Sequence, residues 1–148
     1  MSSPGQQLAE LYQRVIQEEL GLPATIDERE CVLFEHPELG TFFIGLNAAK
    51  MPEYMRLSLP GFFDASQGVA RDDLVRLCNY LNAKANLATL VVHDGDEGNV
   101  DAWVGLVFAP AFMPPDENLV RGVIGSAVHS IKRVVEKFFN ELQTADAD

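Results

Sequence analysis

Between Glu30 and Pro60 the apolar residues recur at every second position, while the stretches at both ends of the chain repeat at three and four. That switch constrains the fold more than any other feature. Side chains alternate across a strand but return to one face of a helix every three or four residues, so the two periods mark two kinds of element. Cys31 to His36 and Thr41 to Asn47 read as strands joined by the turn Pro37-Glu-Leu-Gly40. Tyr54 to Leu59 alternates most cleanly, with Met55, Leu57 and Leu59 inward and Tyr54, Arg56 and Ser58 outward. Pro60 to Arg71 carries turn residues and two aromatics, and is expected to be an ordered loop.

Helical spacing frames these strands. Leu8, Leu11, Tyr12, Val15, Ile16 and Leu20 predict a helix over 6–20, stopped by Gly21 and Pro23. Leu74, Leu77, Cys78 and Leu81 predict a second from Asp72, with Asp72 or Asp73 as its cap. Strands at 88–93 and 100–108 follow, and both faces of the latter are apolar enough to be covered. Asp116 then caps a long last helix whose apolar arc, from Leu119 to Leu142, is wider than one sheet face requires. The order is α-β-β-β-α-β-β-α. Hairpin-length turns make the sheet antiparallel, so the class is α+β, with about five strands. A chain of 148 residues suits a single domain, here 6–143, with tails at 1–5 and 144–148.

The segment Leu77-Cys-Asn-Tyr-Leu-Asn82, the Asp/Gly-rich hairpin at 94–99 and the long C-terminal helix together resemble the YbjN-type bacterial family. The resemblance implies the fold shared with the chaperones of type III secretion. It also implies a binding module or regulator: a homodimer whose apolar grooves take a segment of a client, or a regulatory protein acting through a signalling partner.

The residues favour binding over catalysis. With 22 acidic and 11 basic residues the net charge is −11, which suits neither a nucleic-acid backbone nor an anionic membrane as partner. No signal peptide or long apolar run is visible, and Cys31 and Cys78 read as buried free thiols, so the cytoplasm is the expected compartment. Asp94 to Asp101 invites a calcium reading. Counted from Asp94, however, an EF-hand template would meet Gly98, Asn99 and Gly105 at positions 5, 6 and 12, and a solvated hairpin explains the residues without a metal. His36, His93 and His129 lack ligand spacing, and a Cys78/His93 pair is weighed against a buried thiol and an ordinary edge histidine. No phosphate loop is present. Neither a cofactor nor an enzyme is expected.

Asn82 is placed to bond the turn into the strand at 88–93, whereas Asn79 and Tyr80 are open to a recognition role. Phe62, Phe63, Trp103 and Phe112 are the candidate partner-binding residues, as aromatics commonly anchor interfaces, though each could equally be core. Gly122 and Gly125 each weaken the last helix by about 1 kcal/mol relative to alanine. They imply a close backbone approach, either by the chain's own sheet or, with Ile131, by a second subunit.

Overall fold

The computed structural model describes residues 3–64, 68–93 and 99–147, and the side chains as far as Thr144. Helix α1, Pro4–Val15, begins where Ser3 Oγ accepts from Gln6 N at 3.1 Å. Pro4 sits in the first turn, where its missing N–H breaks no helical bond. Residues 3–5 are therefore part of the first helix rather than a tail. The helix widens into a π-helical turn, Ile16–Leu20, and ends at Gly21, whose φ of +65° suits a residue without a Cβ.

Among the described residues six strands follow in the order of the chain: β1 (Ala24–Ile26), β2 (Val32–His36), β3 (Gly40–Asn47), β4 (Met51–Phe63), β5 (Thr89–Val92) and β6 (Val100–Val107). Their order in the sheet is β1-β2-β3-β4-β6-β5, and every pair is antiparallel. The chain is thus α+β as expected, but with six strands in place of about five. The strand missed is β1, whose three residues are too few to display a period of two.

Helix α2, Arg71–Lys84, links β4 to β5, and α3, Glu117–Ala147, closes the chain. Ala70 occupies the N-cap of α2 with no side-chain bond, so neither aspartate caps it. Asp72 and Asp73 instead lie in its first turn, where the helix dipole favours negative charge. Asp116 does open α3, accepting from Asn118 N at 2.7 Å through Oδ1. The helix continues through residues 144–147, which were expected to be tail.

All three helices pack on one face of the sheet, where they share a single core with Phe34, Phe42, Ile44, Met55, Leu57, Leu59, Val100, Ala102 and Val104. The wide apolar arc of α3 is taken up inside the chain, since α3 lies on β4 and β6 with α1 and α2 at its flanks. Ile131 is fully buried there and cannot present a subunit contact. The covering of both faces expected for β6 is not found either, because Val107 on its outer face is 67% exposed.

Candidate functional site: the open face of the sheet

The strands turn their second face away from the helices. Leu33, Phe43, Ser58, Trp103 and Thr89 lie abreast across β2, β3, β4, β6 and β5 by direct pairing. The adjoining row holds Gly45, Arg56 and Gly105. The Arg56 guanidinium stands over the Trp103 ring at 4.2 Å from its centroid, a cation–π contact. A Cβ on Gly105 would come within 3.2 Å of both the Trp103 ring and the Tyr54 hydroxyl, so a side chain there would press on both rings. Trp103 Nε1 is shut off from solvent and has no acceptor among the described residues. A buried donor without a partner costs free energy that an incoming acceptor would recover.

Both edges of the sheet have backbone groups taken by side-chain amides. On β5, Asn82 Nδ2 donates to Leu90 O at 2.9 Å while its Oδ1 accepts from Leu90 N at 2.7 Å, so the amide stands in for a neighbouring peptide. This is the structural role expected for Asn82. On β1, Ala24 O accepts from Gln13 Nε2 at 2.9 Å and Gln17 Nε2 at 3.4 Å. Capped edges resist the addition of a further strand. The broad uncovered surface is therefore the face and not the rim.

The four candidate aromatics fall in three separate places. Phe63 is 3% exposed and belongs to the core, where its ring meets Phe138 at 5.1 Å. Phe62 is half-buried beside the same aromatic cluster, 5.2 Å from Phe138. Two adjacent strand residues should point to opposite faces, but β4 bulges between Leu59 and Phe63. Gly61 takes φ +62° in the bulge, and its N–H donates to Asp101 Oδ1 at 2.7 Å. The bulge turns both rings toward α3. Trp103 lies on the open face, one strand in from the β5 edge. Phe112, 80% exposed, lies beyond the C-terminal end of β6 and is bonded to Glu53, which precedes Phe62 on β4 by roughly 30 Å of extended chain.

Phe112 holds a left-handed φ of +64°, unusual for a bulky residue. Its N–H donates to Glu53 Oε2 at 2.8 Å. Glu53 is itself 4% exposed, with Oε1 unpartnered among the described residues. A buried carboxylate thus fixes the loop that turns Phe112 and Met113 into solvent.

Of the possible catalytic pair, Cys78 lies in the core and His93 at the end of β5. Cys78 is buried on the core side of α2, and burial pushes its thiol up to about 11. At neutral pH it carries little of the thiolate that nucleophilic attack requires. The His93 ring pairs with Asp101 across the hairpin. Among the described residues no three metal-ligating side chains come together. Asp94 to Gly98, on which the calcium reading turned, lie outside the described residues. No described helix is long and apolar enough to cross a membrane.

Gly122 and Gly125 lie on the exposed side of α3, and a Cβ on either would meet nothing within 4 Å. The chain's own sheet therefore does not account for them. Sequence reading also missed Arg56, Tyr54 and Gly105 as parts of one surface. The available signal was an isolated glycine two positions beyond a tryptophan in an otherwise regular strand.

No family model matches the chain, and no curated protein matches it in sequence. Among solved structures it is similar to YbjN of E. coli, described as a candidate transcription regulator. The TM-score is 0.65 at 11% identity, over 87% of this chain and 90% of that one. The chain has a YbjN-type fold.

Proposed function

We propose that this protein is a non-enzymatic binding module that takes a segment of a partner protein on the open face of its sheet. The observation that carries this reading is the uncovered row through Leu33, Phe43 and Trp103 beneath a cationic Arg56, on a sheet whose edges are capped. An extended segment with apolar side chains and an acidic residue for Arg56 complements that face. The function is cytoplasmic in this reading, in keeping with two free thiols. The module works as a homodimer joined through the glycine-bearing side of α3, where a second helix could approach closely. Chaperoning of a client is the primary reading.

A regulatory role exerted through a signalling protein is the second reading, favoured by the fold likeness to a candidate transcription regulator. The net charge of −11 disfavours a direct grip on nucleic acid in either reading.

Affinity capture from the source cells, with mass spectrometry, compares the wild type with Trp103→Ala and Arg56→Ala. A protein recovered by the wild type and lost by both variants, each still folded, is the expected result. Equal recovery by both variants would move the binding surface elsewhere. An unfolded client among the captured proteins favours chaperoning, and a single folded partner favours regulation. Sedimentation of the same samples should give twice the 16.3 kDa chain mass, and Gly122→Ala should shift it toward monomer.

A further inference from the structure

We propose that the cavity between the C-terminal end of α2 and the middle of α3 binds a compact dianion of the phosphate monoester class, carried on a small molecule. The cavity has a volume of about 140 Å³ and is lined by Lys84, Arg133 and Lys137, with Asn86 and Ser130 beside them over an apolar floor. The chain has only 11 basic residues against 22 acidic ones, yet three of the 11 meet here and no carboxylate lines the cavity.

Three cations elsewhere in the fold are held by acids. Arg121 bonds Glu18 at 2.6 Å, with Glu19 and Glu117 each at 3.1 Å. Lys132 bonds Glu38 at 3.0 Å, and Arg14 Nε bonds Glu117 at 2.8 Å. Arg133 and Lys137 differ. They have no ion pair among the described residues, although like charges four apart on one helix repel. Glu136, between them in sequence, faces a different cavity together with Glu38. Lys84 is steadied without a carboxylate, its ammonium 2.6 Å from the Tyr80 hydroxyl and over the Tyr80 ring. Glu141, one turn beyond Lys137, acts on Lys84 through space and is not part of the lining.

Three positive side chains around one cavity exceed what a single carboxylate needs and match a phosphoryl group carrying close to two negative charges. The guanidinium supplies a planar fork for two phosphate oxygens, and the ammonium groups act as point charges around them. The Ser130 hydroxyl already donates to Ser126 O at 2.9 Å, leaving Asn86 and the three cations as donors. The cavity is small enough that it encloses the phosphoryl group and leaves the rest of the molecule in solvent.

The test is an NMR titration of the full chain with inorganic phosphate and, separately, glycerol phosphate, with sodium chloride at matched ionic strength as control. Saturable one-to-one shifts centred on Asn86, Leu87, Ser130 and Arg133 are expected with both phosphates. The double variant R133Q/K137Q, altered only at exposed positions, should keep the wild-type melting temperature and lose affinity by about tenfold or more, as removing two charge-assisted contacts implies. Lys84→Gln gives an independent, smaller loss. Shifts that fail to saturate, that chloride reproduces, or that persist in the double variant would overturn the proposal. Capture of a protein partner through the sheet face is unaffected by either result.

Discussion

The two faces of this sheet are made by the same strands and obey the same alternation, yet they do different work. On the covered face Phe42, Ile44, Leu57 and Val104 are fully buried beneath three helices. On the other, Phe43, Arg56 and Trp103 remain in reach of solvent. A residue on the first contributes to stability through packing, and its removal leaves a cavity. A residue on the second has lost less water, so its chemistry is available to a partner. The contrast explains why aromatic character alone did not identify the surface: Phe63 and Trp103 are both large and both in strands, but they face opposite environments.

The largest test of this contrast is Phe63→Ala. Phe63 packs with Phe138 and Phe139, so its truncation should cost about 3–5 kcal/mol in denaturant unfolding. A cost near zero would erase the distinction between the faces. Asn82→Ala comes next, because it strips Leu90 of partners for both backbone groups at the edge of the sheet. A loss of about 1–3 kcal/mol is expected, together with concentration-dependent association as β5 becomes an open edge. Unchanged stability and a clean sedimentation profile would show that water replaces the amide at no cost.

Trp103→Phe is a finer probe of the open face. It keeps a ring for Arg56 and removes an indole N–H that has no acceptor among the described residues, so stability should hold or rise by up to about 1 kcal/mol. A marked fall in the melting temperature would mean that the indole is held by more than the Arg56 contact.

The smallest effect concerns a surface that ties helices together, away from both faces. Hydrogen bonds from Arg14 and then Arg121 hold the Glu117 carboxyl below its ordinary range. Its contribution is complete above the unfolded glutamate value of about 4.3, and it is lost as pH falls through the lower folded value. Glu117→Gln should therefore lower the melting temperature slightly at pH 7. The gap should close in strong acid. A gap independent of pH would assign the effect to packing.

Much of this fold is legible in local pattern. The alternation through 54–59 assigns the inward residues of β4 correctly, Asp116 marks the start of α3, and Asn82 falls where an edge strand needs an amide. Each of these depends on neighbours a few residues away. The short β1, the bulge that brings Phe62 and Phe63 together, and the burial of Ile131 depend on pairing and packing between distant segments.

The cavity at Lys84, Arg133 and Lys137 belongs with that second group. The like-charged pair on α3 was visible as a spacing, but Lys84 lies about fifty residues earlier and meets it only when α2 packs beside α3. The open face has the same origin. Alternation along β6 states that two sides exist and that both carry apolar residues. Which side is covered was decided by α1, α2 and α3 burying their apolar stripes together on one face, because a shared core removes the most apolar surface from water.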